Sequence, residues 1–303
     1  MKSKERSLKI SGVLPPMITP FKENGEVDYG AFEHNMERWN AAPLGGYLVL
    51  GSNSETPLLT PEEKLRLIRM SVELAAESRL VMAGTGLEST RETIFLTNKA
   101  AAVGVDAALV LTPSFYREQM NDRAPIRHFT EVADNSQIPV LIYNVPKFTG
   151  VNISVAAVKE LSTHPNIIGM KDSSGSLPQL TSFLAVVPKD FCLIVGTAAL
   201  WYPALTLGIR AGILALANCA PKECIAVQQY IGGANHSAAR ELYLKLLPLN
   251  TAITATYGIA GLKYACSANG YAGGFVRPPL LPLTDTEKGA IDAILKNTPF
   301  MKL

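Results

Sequence analysis

The stretch Ile167-Ile168-Gly169-Met170-Lys171-Asp172-Ser173-Ser174-Gly175 ends an apolar run of strand character in a lysine, followed by short hydroxyl side chains and a glycine turn. Burying an ammonium is expensive, and the neutral amine that burial favours is a nucleophile. The same lysine also reads as a strand-end residue that reaches solvent through its flexible stem. The segments closing the other short apolar runs bear on that choice. They are Thr19-Pro20, Gly51-Ser52-Asn53-Ser54-Glu55, Thr112-Pro113-Ser114-Phe115-Tyr116, Tyr143-Asn144-Val145-Pro146, Gly196-Thr197-Ala198 and Asn218.

Together these offer one nucleophile, Lys171, and one phenol poised beside it, Tyr143. A lysine condenses with a ketone to a Schiff base, and the protonated imine is an electron sink, so a C–C bond β to it can break or form. A tyrosine can carry the proton. Hydroxyls and backbone N–H groups at Ser52 to Ser54 can hold a carboxylate without an arginine. Each residue also has a plain structural reading. Tyr143 fits as a core aromatic, and Ser52 and Asn53 fit as turn residues. Glu55 reads as structural, bonded to backbone or hydroxyl groups. Lys263, after Gly258-Ile259-Ala260-Gly261, reads as a surface or packing lysine. No carboxylate pair suits glycoside chemistry. His34, His128, His164 and His236 are scattered, are expected at the surface or at helix ends, and suggest no metal site.

The elements that must position these groups alternate along the chain. Eight strands are expected: Val13 to Thr19, Gly46 to Gly51, Leu80 to Gly84, Ala107 to Thr112, Val140 to Asn144, Ile167 to Lys171, Cys192 to Gly196 and Gly212 to Ala217. Helical spacing falls between them, with Phe32, Met36 and Trp39 on one face of the first helix. Thr60, Pro61 and Glu63 form a capping-box signature, and Ser89 and Glu92 open the next helix. Eight β-α units with buried parallel-type strands predict an α/β (β/α)8 TIM barrel over residues 1–232. A doubly wound sheet would carry a glycine-rich phosphate turn, and Gly84-Thr85-Gly86 lacks its third glycine. Helices expected at Ser237 to Leu247, Thr254 to Asn269 and Asp285 to Lys296 form a C-terminal helical domain, 233–303, that packs on the barrel or supplies a subunit contact. In a barrel the strand ends named above share one face, where active sites sit.

With 303 residues, 48% of them hydrophobic and 18% charged, the chain can bury a large core. A net charge of +2 with no long basic run asks for neither nucleic acid nor a membrane surface. Cys192, Cys219, Cys224 and Cys266 form no C-x-x-C pair and read as reduced thiols of a cytoplasmic protein. The basic segment Met1 to Lys9 runs into Pro15-Pro16 and Pro20, so no signal peptide forms, and no apolar run approaches the roughly 20 residues of a membrane span.

The motifs Gly51-Ser52-Asn53-Ser54-Glu55, Tyr143-Asn144-Val145-Pro146 with Thr149-Gly150, and Gly169-Met170-Lys171-Asp172 resemble those of the dihydrodipicolinate synthase / N-acetylneuraminate lyase family across nearly the whole chain. The resemblance implies a class I, pyruvate-dependent aldolase with no cofactor beyond a covalent lysine–pyruvate imine. It implies imine formation at Lys171, proton relay by Tyr143 and carboxylate binding by Ser52 and Asn53. Ser173, Tyr116 and Gly196 join as substrate-binding positions, and a homotetramer, a dimer of dimers, is expected. Dihydrodipicolinate synthases carry an arginine two residues after the Tyr-Asn-x-Pro proline, where this chain has Phe148. They usually have two threonines where it has Ser52-Asn53. They place a relay tyrosine after Thr-Pro, where it has Phe115 or Tyr116. Thr197-Ala198-Ala199 argues against a long polyol. The pattern is most similar to 4-hydroxy-2-oxoglutarate aldolase, which yields pyruvate and glyoxylate. Dihydrodipicolinate synthase and 2-keto-3-deoxy sugar-acid aldolases or dehydratases are the alternatives. A barrel that binds a 2-oxo acid without turnover is the non-enzyme alternative.

Overall fold

A computed structural model describes residues 8–300, so the basic run at 1–7 lies outside the described residues. The elements follow one another as β1 (Gly12–Leu14), α1 (Tyr29–Asn40), β2 (Gly46–Val49), α2 (Pro61–Leu74), β3 (Leu80–Gly84), α3 (Thr90–Ala102), β4 (Ala107–Leu111) and α4 (Arg123–Asp134). Next come β5 (Val140–Asn144), a single turn α5 (Pro146–Thr149), α6 (Val155–Leu161), β6 (Ile167–Asp172), α7 (Leu177–Val186), β7 (Cys192–Val195), α8 (Trp201–Thr206), β8 (Ala211–Ile213) and α9 (Pro221–Gly232). The C-terminal helices are α10 (His236–Thr251), a π-helical turn at Ala252–Thr256, α11 (Gly258–Ala268) and α12 (Asp285–Lys296).

All strand pairs are parallel, in the order β1-β8-β7-β6-β5-β4-β3-β2. The barrel closes between β1 and β2 through the bridge Pro16↔Leu48, with Leu48 N donating to Pro15 O at 3.1 Å and Met17 N to Leu48 O at 2.9 Å. β1 is shorter than expected because Pro15 and Pro16 have no N–H to give a ladder. Asn218 ties the segment after β8 to the segment after β1: its Oδ1 accepts Ile18 N at 3.1 Å, and its Nδ2 donates to Pro16 O and Ala215 O at 3.0 Å each. Its place beyond β8 is thus structural.

Side chains alternate along the strands. Leu14, Leu48, Met82, Leu109, Leu141, Ile194 and Ile213 meet in one cluster that fills the barrel. Val13, Val49, Val81, Val110, Ile142 and Val195 face the helices, where Phe32, Met36 and Trp39 of α1 pack as expected. The Thr60–Glu63 capping box forms, and Ser89 accepts from Glu92 N.

Three more expectations are corrected. α10 does not stop before Pro248 but runs through it to Thr251, because Leu246, Leu249 and Asn250, and Ala252 and Ile253 in the turn beyond, are buried on either side of the exposed proline. The π turn then delays the start of α11 to Gly258. His128 is not at the surface: it is 5% exposed, with Nδ1 2.9 Å from Thr90 Oγ1, and burial pushes it down to about 4.

Candidate active site

β5 and β6 place the two central groups side by side. Their register pairs Tyr143 with Lys171 and Asn144 with Asp172. A simple alternation counted back from Lys171 would turn Ile168 toward the helices, yet Ile168 packs inside the barrel and Ile167 and Met170 outside it. The register shift at Val140/Leu141, which sets Ile167 and then Gly169 opposite successive β5 residues, absorbs one extra residue. Gly169 permits this, since a Cβ there would meet Cys192 O at 2.4 Å.

Lys171 is therefore buried, at 3% exposed, and its Nζ lies 4.2 Å from the Tyr143 ring centroid. The Tyr143 hydroxyl is 3.2 Å from Ser52 Oγ. Asp172 points the other way and ties the loops together: its Oδ1 accepts Asn144 Nδ2 at 2.7 Å and its Oδ2 accepts Ser174 Oγ at 2.6 Å. Burial nevertheless raises the Asp172 carboxyl above its ordinary value, against the pull of those bonds. Asn144 Oδ1 also takes Ile153 N at 3.1 Å, and Ser173 N donates to Asn144 O at 2.9 Å. This network fixes the backbone on either side of the lysine.

Two cavities meet at Tyr143 and Phe148. One, of about 560 Å³, is lined by Lys171, Tyr143, Asn53, Ser173, Gly196, Thr197 and, from the C-terminal helices, Asn250, Ile253, Thr254 and Ile259. The other, of about 500 Å³, is lined by Ser52, Tyr143, Thr112, Leu58, Lys64, Glu88 and Leu280. Asn53 Nδ2, Ser173 Oγ and Asn250 Oδ1 are buried without a hydrogen-bond partner, and their residues all line the lysine cavity. Buried polar atoms are rarely left unpaired, and here they surround the one place a polar ligand would sit. Gly196 is confined to glycine: a Cβ would lie 1.9 Å from Ser173 Oγ and 3.0 Å from Lys171 Cε.

Of the expected positions, Lys171, Tyr143, Ser52, Asn53, Ser173 and Gly196 come together. Tyr116 does not within one chain. It is 66% exposed, packs edge-on against Phe115, itself 79% exposed, and lines neither cavity. The Glu88 carboxylate holds that loop outward by accepting Ser114 N, Ser114 Oγ and Phe115 N at 2.8–2.9 Å. Asn250, Glu88 and Arg277 were not singled out from the sequence. Nothing in their local pattern marks them, since their contacts lie far along the chain. Glu55 proves structural, but its partners are an ammonium and a backbone N–H, not hydroxyls. Lys263 is no surface residue: it is 2% exposed and ion-paired to Glu55, and its burial lowers it to about 8 against that partner's upward pull.

Among the described residues no three His, Cys, Asp or Glu side chains gather to hold a metal ion, and no helix is long and apolar enough to cross a membrane. All four cysteines are free thiols. An eight-stranded parallel barrel with a buried lysine and a tyrosine at its mouth defines a (β/α)8 barrel of the Schiff-base aldolase class. The chain belongs to the dihydrodipicolinate synthetase family, whose model matches residues 9–298. Enzymes of this family join pyruvate to a lysine as a Schiff base and use no external cofactor.

Its relatives include the 4-hydroxy-tetrahydrodipicolinate synthase of Methanothrix thermoacetophila, 34% identical over 94% of this chain and 95% of that protein. That of Acidiphilium cryptum is 35% identical over 94% of this chain and 97% of that protein. Among solved structures, a dihydrodipicolinate synthase from Bacillus anthracis superposes with a TM-score of 0.92 at 28% identity, covering 96% of this chain and 99% of that one. YagE, a prophage protein of the same family from E. coli K12 in complex with pyruvate, superposes at 0.90 with 27% identity, covering 97% and 100%.

Proposed function

We propose that Lys171 is the imine-forming residue of this aldolase, that Tyr143 relays its protons, and that Ser52 and Asn53 hold the carboxylate of pyruvate or a 2-oxo acid. One observation carries the reading. A 3% exposed lysine, 4.2 Å from a tyrosine ring, floors a cavity ringed by unpaired buried polar atoms. The Lys171 amine adds to the C2 ketone, and water leaves to give the protonated imine. Tyr143, next to Ser52 Oγ at 3.2 Å, moves the protons of that dehydration. From pyruvate the imine loses a C3 proton to become an enamine, whose electron pair adds to an aldehyde carbon. In the cleavage direction the C4 hydroxyl loses its proton, the C3–C4 bond breaks with C4 leaving as the aldehyde carbon, and the bonding pair passes into the protonated imine, which becomes the enamine. The enamine is then protonated and hydrolysed to pyruvate.

For the aldehyde, the names of the relatives support condensation of pyruvate with aspartate semialdehyde over the expected cleavage of 4-hydroxy-2-oxoglutarate, and condensation is the first reading. One feature keeps the second reading in play. Phe148 stands where such synthases carry an arginine and lines both cavities, while the neighbouring Lys147 ammonium is engaged by Thr254 O at 2.7 Å. A contact between copies of the chain over the exposed Phe115 and Tyr116 fits the expected tetramer.

The test is to incubate the protein with pyruvate, reduce with borohydride and locate the adduct by peptide mass. An adduct on the Lys171 peptide is expected, with none in Lys171→Ala. A folded wild type without adduct overturns the mechanism. Offering aspartate semialdehyde beside glyoxylate then separates the two readings, and pyruvate consumption only with glyoxylate overturns the first.

A further inference from the structure

The turn that carries Ser52 and Asn53 is bracketed by Leu50 at φ 57° and Glu55 at φ 56°. Neither is a glycine, and L-residues hold this left-handed conformation only where their surroundings dictate it. For Glu55 the surroundings come from the far end of the chain. Its carboxylate, 1% exposed, is ion-paired with Lys263 of α11 and accepts Arg277 N at 2.8 Å. Lys263 Nζ also donates to Phe275 O at 2.5 Å and lies 4.4 Å from the Phe21 ring centroid. The Arg277 guanidinium stacks on the same ring at 4.3 Å and forks onto Glu63, with both nitrogen–oxygen distances 2.7 Å. It also donates to Leu58 O at 2.7 Å. Two cations of the C-terminal segment therefore grip the two carboxylates that flank the start of α2. Lys263 lines neither cavity and cannot touch a ligand there.

We propose that Glu55, Lys263 and Arg277 are positioning residues through which the C-terminal segment sets the turn presenting Ser52 and Asn53 to the 2-oxo acid carboxylate. This rests on the imine reading above and extends it to two cations, Lys263 and Arg277, that line neither cavity. The ion pair selects the left-handed Glu55, and Glu55 fixes the backbone of the turn through Glu55 N to Ser52 O at 3.2 Å. Without it the turn is free to relax, and the hydroxyl and amide lose their aim while Lys171 stays in place.

The experiment measures borohydride trapping against pyruvate concentration in wild type, Lys263→Met, the neutral double variant Glu55→Gln/Lys263→Met, and Tyr264→Phe. Tyr264 bonds Asp292 of α12 and serves as a control for loosening α11 without touching the pair. In Lys263→Met the pyruvate concentration for half-maximal trapping rises at least tenfold, and the trapping rate at saturation stays within threefold. The double variant, with no unpaired buried charge, regains thermal stability but keeps the raised half-saturation. Tyr264→Phe lowers the unfolding midpoint and leaves half-saturation unchanged. If Lys263→Met does not fold, the double variant carries the comparison. Half-saturation within twofold of wild type in a folded Lys263 variant, or one that tracks thermal stability across all three, overturns the positioning role. An absent adduct in the wild type itself overturns the imine reading and this proposal with it.

Discussion

Gly196→Ala adds one methyl where β7 ends, and the structure sets the consequence. The new carbon would sit 1.9 Å from Ser173 Oγ, 2.9 Å from Asp172 O and 3.0 Å from Lys171 Cε. Comfortable carbon–oxygen contacts begin near about 3.3 Å and carbon–carbon contacts near about 3.5 Å. The Ser173 hydroxyl can swing away, but the Asp172 carbonyl belongs to β6 and moves only with it. The Lys171 side chain is then displaced by roughly half an ångström or more. Overpacking of this kind costs about 1–3 kcal/mol of stability, which the fold can absorb. Misplacement of a reacting group by about 1 Å costs on the order of 10²-fold in rate, or about 2.7 kcal/mol of barrier. The assay is the rate of borohydride-trapped pyruvate adduct on the Lys171 peptide, with circular dichroism to verify folding. For a displacement of about half to one ångström a drop of about 10- to 10²-fold is expected. The double variant Gly196→Ala/Ser173→Ala removes the closest clash but not the contact with Lys171, and recovers only part of the loss. A folded Gly196→Ala protein that traps pyruvate within threefold of wild type would refute the close packing around the lysine as the reason for glycine.

Tyr143→Phe keeps the ring beside Lys171 but loses the hydroxyl. Turnover falls by about 10²-fold or more with little change in pyruvate half-saturation, and wild-type turnover removes Tyr143 from the proton relay. His128 is held neutral in the fold, down to about 4 against an ordinary 6.5, because burial disfavours its charge. The unfolded chain binds that proton first, so stability is full above pH 6.5 and declines as pH falls toward 4, by about 3 kcal/mol at about 1.4 kcal/mol per unit. Urea midpoints at pH 7 and pH 4.5 measure this, and an unchanged acid slope in His128→Gln contradicts it. Asn218→Asp cannot donate to Pro16 O or Ala215 O, so the seam between β8 and β1 loses two bonds and gains a buried charge. A loss of about 2–4 kcal/mol by chemical denaturation is expected, and one below about 0.5 kcal/mol would show that the seam holds without them.

The barrel and most of its mouth were legible along the chain. Each strand is a short apolar run closed by a polar or turn-forming residue, and each helix shows its own spacing and caps. These are local signals, carried by neighbours in sequence. Lys171, Tyr143, Ser52 and Gly196 stand out because they end such runs, and the barrel gathers all strand ends on one face. Within one chain Tyr116 stays outside both cavities, because the direction of the Phe115–Tyr116 loop depends on Glu88, more than twenty residues upstream, and not on its own sequence.

The sequence by itself thus determined the periodicity, the order of the elements and the chemical types available at the strand ends. The tertiary structure alone decided which way Lys171 points, because the bulge in β6 arises from pairing with β5 and leaves no mark on the run Ile167 to Lys171. It alone carried α10 through Pro248, where burial of Leu249, Asn250 and Ile253 outweighs the hydrogen bond that proline cannot make. And it alone brought Lys263 to Glu55, and Arg277 to a carboxylate 222 residues away. An unpaired buried charge is costly, so Lys263 and Glu55 are buried against each other, and that pairing is fixed by where the C-terminal helices dock, not by any spacing along the chain.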